Sequence, residues 1–230
     1  IGEAHRLDSN NYLVRPGDTL YSIAWMYGYD YRDLARWNKL VPPYRLYKGQ
    51  TLSLTSQSRH HDHRASRTRP LSRTPKKNHS VTKPRKDQPR SIRGKNRAIE
   101  RSVVKKVLKK GRWYTPAQGK MYKASTSRFY QRKGIEIKGQ YGSPIHSAAS
   151  GKVVYSGTGV RGYGNLIIIE HTPSLLSAYA FNKDRLVKVG QYVKANQVIA
   201  HMGYGPKHKP LLYFEVRLNG SPVDPRAYIR

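Results

Sequence analysis

The sequence predicts two folded parts of different class: a small α+β module of order strand, helix, helix, strand, and a larger mainly-β domain. A disordered basic linker joins them. Three observations predict this. Apolar residues recur at helical spacing between Thr19 and Leu40, whereas after Gly151 they come in short β-branched or aromatic runs. Between the two, Ser56 to about Arg97 is almost wholly Ser, Arg, Lys, Pro, His and Thr, a composition that buries too little apolar surface to offset the entropy of ordering. The charge is also uneven. Residues 1–55 carry 7 basic and 5 acidic side chains, residues 56–110 carry 19 and 3, and residues 111–230 carry 18 and 5.

The 230 residues sum to a net charge of +31. A field of that size favours polyanionic surroundings such as nucleic acid, lipid headgroups or wall polymers, without choosing among them. The absence of cysteine removes disulfides, thiolate metal sites and cysteine nucleophiles. No apolar run approaches the roughly 18–20 residues of a membrane span. No secretory signal precedes the first module, and the opening at Ile1 rather than Met leaves room for a targeting segment removed beforehand.

In order, residues 1–10 form an N-terminal tail and residues 11–55 the first module. "NYLVRPGD" alternates into a short strand, and Thr19 opens a helix in which Leu20, Ile23, Ala24 and Tyr27 share a face. Gly28 suits the helix C-terminus and Asp30 caps a second helix with Leu34 and Trp37 inward. "KGQTLSL" closes the unit as a strand. Residues 56–110 are the linker, stiffened by Pro70, Pro75, Pro84 and Pro89, with a short basic amphipathic helix expected over 98–110. Residues 111–230 supply strands at "GKVVYSG", "NLIIIEH", "LLSAYAF", "LVKVGQYVKANQVIAHMG" and "LLYFEVRLNGSPVD".

The string "YLVRPGDTLYSIAWMYGYDYRDLARWNKL…YKGQTLSL" resembles a LysM domain over nearly its whole length. The resemblance implies a βααβ fold that holds N-acetylglucosamine-containing glycan of peptidoglycan or chitin in a shallow groove between two loops. It places Gly17, Asp18, Thr19 and Leu20 on one side of the glycan and Asn38, Leu40, Val41 and Pro42 on the other. The structural alternative is that Asp18, Thr19 and Asn38 only cap helix ends.

Residues from about 130 to 229 resemble the LytM, lysostaphin-like zinc endopeptidase fold, a glucose-permease-type hybrid of barrel and sandwich. "KGIEI", "GSPIHSAASGKVVYSG", "GYGNLIIIEH" and "LYFEVRLNGSPVDPRAYI" carry the likeness in the family's order. Active members hold zinc with the His and Asp of an "HxGxD" segment and the second His of "HLHFE". The other His of that pair and the His of "YAHL" assist. In this chain those positions are Arg132, Glu136, Tyr213, Leu211 and Phe181. A catalytic zinc needs about three neutral imidazole or carboxylate ligands and an open position for water. Arg is always cationic, Phe and Leu have no lone pair, and only Glu136 is an ordinary ligand. The sequence therefore predicts no metal, no cofactor and no catalytic residue.

Strand periodicity turns Leu212, Phe214, Val216 and Leu218 to the core and Leu211, Tyr213, Glu215 and Arg217 to the opposite face. With Phe181, Glu136 and Arg132, the latter two spaced to pair across the old ligand positions, that face has the make-up of a protein-binding hot spot. Drift to an inert filler domain is the alternative. The layout resembles the NlpD-type activators of Gram-negative bacteria, LysM followed by a linker and a degenerate LytM domain. That resemblance implies a non-catalytic, peptidoglycan-binding activator of N-acetylmuramoyl-L-alanine amidases in daughter-cell separation. It also implies a periplasmic place at the outer membrane and a groove that receives a helix or loop of the amidase.

Two competing functions are an active LytM zinc endopeptidase with a displaced metal and a basic nucleic-acid-binding protein. The linker lacks aromatic side chains that could stack on bases, so no specific nucleic-acid partner is expected, and contact with anionic envelope lipids explains its charge. His60, His61, Asp62 and His63 read as a solvated run, His171 as a structural histidine, and Gly157 to Asn165 as a hairpin turn rather than a phosphate loop.

Overall fold

A computed structural model describes residues 10–56, 112–124 and 133–230. The helix expected over 98–110, the His60–His63 run and Arg132 lie outside the described residues.

The N-terminal module has the expected order: β1 (Asn11–Leu13), α1 (Leu20–Tyr27), α2 (Tyr31–Trp37) and β2 (Thr51–Ser53). β1 and β2 pair antiparallel, Tyr12 opposite Leu52. Thr19 begins α1 with a reciprocal cap: its hydroxyl accepts from the Ser22 amide at 3.1 Å, and the Ser22 hydroxyl accepts from the Thr19 amide at 3.0 Å. Gly28 ends α1 at φ 75°, where a side chain would be strained. Asp30 caps α2 through the Arg32 amide at 2.9 Å.

The C-terminal domain is built from β3 (Lys120–Lys123), β4 (Ile135–Lys138), β5 (Pro144–His146), β6 (Gly151–Gly157), β7 (Asn165–Thr172), β8 (Leu175–Asn182), β9 (Tyr192–Val193), β10 (Val198–His201), β11 (Leu211–Leu218) and β12 (Ser221–Val223). The main antiparallel sheet runs β3-β4-β11-β8-β7-β6-β9, with β12 also on β11, and β5 pairs with β10. The edge strand β3 is exposed throughout and carries Lys120 and Lys123, charge that discourages edge-to-edge association. Of the long run expected at 186–203, only the short β9 and β10 are strand.

Antiparallel sheets usually keep one face in water. Here every residue of β8 and of β11 is buried, so both faces of the sheet centre are covered. One face carries Ile135, Ile137, Ile167, Ile169, Tyr179, Leu212, Phe214 and Val216 against Trp113, Ile145 and Ile199. On the other, Leu166, Ile168, Ala178, Ala180, Leu211 and Tyr213 join one continuous apolar cluster with Leu20, Ile23, Trp25 and Leu34 of the N-terminal module. The covering layer of that second face is the N-terminal module.

Candidate functional site

β11 sets the site. Leu212, Phe214 and Val216 are in the core cluster and Leu211 and Tyr213 in the opposite one, as the alternation requires. Across the sheet Tyr213 is in register with Glu136 on β4 and Ala180 on β8. Phe181, next along β8, makes an edge contact with Tyr213 at 6.4 Å between centroids, and Tyr163 makes another at 5.8 Å. Glu136, Phe181, Leu211 and Tyr213 therefore meet at one place on the second face.

These four do not form a metal site. Only Glu136 is an ordinary ligand. The Tyr213 hydroxyl donates to the Glu215 carboxylate and accepts from the Gly134 amide at 3.2 Å. Burial, and then the Glu215 charge, push its pKa well above the usual tyrosine range, so it stays a neutral phenol. Among the described residues no three His, Cys, Asp or Glu side chains gather. The residues present do not fit the zinc of an active LytM fold.

In its place stands a buried polar chain. Glu215 accepts from Tyr213 and from the Arg217 Nε at 2.6 Å. Arg217 donates from Nη1 to the Trp25 carbonyl at 2.8 Å and lays its guanidinium 3.8 Å from the centroid of the Trp25 indole. α1 has no basic residue in its own last turn. Arg217 supplies the cation its C-terminal carbonyls favour, from the other domain. Two more contacts cross the same boundary: the Tyr31 hydroxyl donates to Glu170 at 2.6 Å, and Arg32 donates to the Asn219 side chain at 2.7 Å. Gly220 sits so close to the α1–α2 turn that a Cβ there would lie 2.4 Å from the Asp30 amide nitrogen.

The glycan-side residues are placed as follows. Gly17, Val41 and Pro42 are exposed, Asp18, Thr19, Asn38 and Leu40 are half-buried, and Leu20 is buried in the core. Asp18 accepts from the Tyr12 hydroxyl at 2.7 Å and the Arg15 amide at 2.9 Å. Asn38 donates to the carbonyls of Leu34 and Ser53 at 2.8 Å each and accepts from the Ser53 amide at 2.6 Å, tying α2 to β2. Asp18, Thr19, Leu20 and Pro42 line a cleft of about 890 Å³ whose opposite wall is Lys152, Val153, Glu170 and Gly190. His171 is structural. Its Nδ1 meets the Ser150 carbonyl at 2.9 Å, its Nε2 the Ser177 hydroxyl at 2.7 Å, and its ring packs on Trp113.

Sequence reasoning missed Trp25, Tyr31, Glu170, Tyr163 and Asn219. One signal was available: Trp25 lies off the Leu20–Ile23–Ala24 stripe of α1, a large aromatic with no place in the module's own core.

Such a chain is a LysM module joined to a metallopeptidase fold whose ligand positions are refilled. Residues 12–55 match the LysM domain family, and residues 130–225 match Peptidase family M23. Over 240 residues the chain is 37% identical to the lipoprotein NlpD/LppB homolog of Pseudomonas aeruginosa, covering 96% of this chain and 77% of that protein. It is 37% identical to the uncharacterized lipoprotein YgeR of Escherichia coli, covering 95% and 80%. It is 32% identical to the murein hydrolase activator NlpD of Escherichia coli, covering 96% and 68%. The chain belongs to the NlpD/LppB lipoprotein family.

Proposed function

We propose that this protein is a non-catalytic, peptidoglycan-binding activator of N-acetylmuramoyl-L-alanine amidase, acting in cell-wall splitting at daughter-cell separation. The tail is residues 1–10, the glycan-binding module 11–55, the basic tether 56–110 and the activating domain 111–230. The observation that carries the reading is the convergence of Glu136, Phe181, Leu211 and Tyr213 beside a buried Glu215–Arg217 pair. A hydrolytic centre needs a cation held at the positions of Arg132, Glu136 and Tyr213; this one offers aromatic and guanidinium groups of the kind that anchor protein partners. A relative named as a murein hydrolase activator aligns with 96% of this chain.

In this reading Gly17, Asp18, Thr19, Leu20, Asn38, Leu40, Val41 and Pro42 form the glycan side. Arg132, Glu136, Phe181, Leu211, Tyr213, Glu215 and Arg217 form the partner side. The place of action is the Gram-negative envelope, at the outer membrane, in keeping with relatives named as lipoproteins, one of them an outer membrane antigenic lipoprotein. Among the described residues no helix is long and apolar enough to cross a membrane. The basic tether, net +16, is expected to lie against anionic lipids or wall polymers.

The test is release of dye from labelled sacculi. The full chain with an amidase releases more dye than the amidase alone, and the chain alone with added zinc releases none. The gain falls in Arg132→Ala and in Tyr213→Ala. Release by the chain alone, or a gain untouched by both substitutions, contradicts the reading.

A further inference from the structure

The partner side of the C-terminal domain is not open. Leu211, Tyr213, Glu215 and Arg217 are all buried; Trp25 of this chain's own LysM module covers Arg217, and Leu211 and Tyr213 share one apolar cluster with that module. We propose that α1 of the LysM module is the resting occupant of the partner groove, so that an amidase segment binds there only by displacing Trp25 from Arg217. The proposal rests on reading the groove as the amidase site and adds what stands in that site beforehand.

The observations fit an occupant rather than a permanent core. Each contact is of a kind a partner segment could reproduce: an aromatic face on the guanidinium, a helix C-terminal carbonyl taking the Arg217 N–H, and a hydroxyl on Glu170. The fit is also incomplete. The Trp25 indole N–H is buried with no acceptor among the described residues. An unsatisfied buried donor costs about 1–3 kcal/mol, so a segment that satisfies its own groups in the groove has an advantage over α1. Beside Trp25 the boundary stays open as a cleft of about 610 Å³ lined by Met26, Tyr27, Lys133, Arg161, Tyr163 and Pro222, a place where a displacing segment can begin. The two modules are consecutive along one chain, and the tether keeps the displaced module at high effective concentration, so closure is recovered when the partner leaves.

The groove's own residues serve both occupants, so the discriminating substitutions lie on the LysM side. Trp25→Ala removes the stacked indole, and Tyr31→Phe removes only the hydroxyl that reaches Glu170. The chain has no cysteine, so spin labels placed by Lys48→Cys and Lys188→Cys, both exposed, report the distance between modules without interference. In the full chain the expected result is one narrow distance. It broadens in Trp25→Ala, and it broadens in the wild type when amidase is added. Titration is expected to give amidase affinity at least tenfold tighter for Trp25→Ala than for wild type, with Tyr31→Phe changed in the same direction by less. A distance as narrow in Trp25→Ala as in wild type overturns the proposal, and so does amidase binding that leaves the wild-type distance unchanged. If neither chain binds amidase, the activator reading fails, while the label distances still decide whether α1 is a releasable cover.

Discussion

The guanidinium of Arg217, on β11, lies 3.8 Å from the centre of the Trp25 indole on α1, and donates to the carbonyl of that same tryptophan at 2.8 Å. The two residues are 192 positions apart in sequence. Through Glu215, which accepts from Arg217 at 2.6 Å, this contact runs directly into Tyr213 at the former ligand position. The place where a hydrolase would hold its metal is thus wired, by buried hydrogen bonds, to the glycan-binding module.

The Glu215–Arg217 pair has both side chains almost wholly withdrawn from water, 1% and 8% exposed. Removing one member leaves the other charged and buried, a loss of about 3–5 kcal/mol, whereas replacing both by apolar groups of similar volume is close to neutral. Arg217→Ala is therefore expected to lower the stability of the C-terminal domain by that amount in urea denaturation. Arg217→Met with Glu215→Leu together should recover most of the loss while leaving amidase stimulation absent. Equal stability of Arg217→Ala and wild type contradicts the account of the pair.

His171 predicts a pH effect. Burial lowers its pKa from 6.5 to about 4, against a smaller opposing push from the Ser150 carbonyl. Its Nδ1 faces that carbonyl, so the neutral ring carries its proton there and takes the Ser177 hydroxyl at Nε2. The unfolded chain binds a proton near pH 6.5 that the folded chain refuses until about 4. Stability from this residue is thus full above 6.5 and lost progressively as the pH falls to 4. Melting temperatures between pH 7 and 4 should fall more steeply for wild type than for His171→Gln. Parallel curves contradict this role.

How much of this was legible in the sequence depended on whether a signal was local. Both helices were: Thr19 with Ser22, Gly28 and Asp30 fix their ends through neighbours at most four residues away. β6, β7, β8 and β11 were legible from their β-branched and aromatic runs, and the inward and outward faces of β11 from simple alternation. The convergence of Glu136, Phe181, Leu211 and Tyr213 followed from the family's order of motifs. The contacts of Trp25 with Arg217 and of Tyr31 with Glu170 were not legible, because they join residues 192 and 139 positions apart, which no local pattern encodes. Each side reads alone as an exposed aromatic or a solvated charge. The strands of the 186–203 run shrank to β9 and β10 because Gly190 and Asn196 take positive φ and turn the chain between them.

On the glycan side, Asn38 and Val41 should separate by assay. The Asn38 amide makes all three of its hydrogen bonds inside the module, so Asn38→Ala is expected to destabilise the module by about 1–3 kcal/mol through the Ser53 and Leu34 groups left unpaired. Val41 is 75% exposed and touches little, so Val41→Asp should leave the melting temperature within a degree or so while weakening co-sedimentation with purified sacculi. A Val41→Asp chain that sediments like wild type removes Val41 from the glycan side.

The most direct test of the whole account is zinc retention by the purified full chain after dialysis, measured by elemental analysis beside Glu136→Gln. The account predicts no stoichiometric zinc in either protein, with any weak uptake by His60, His61 and His63 identical in both. One zinc per chain that survives dialysis in wild type and disappears in Glu136→Gln would place a gripped cation between β4 and β11, and the protein would be a peptidase.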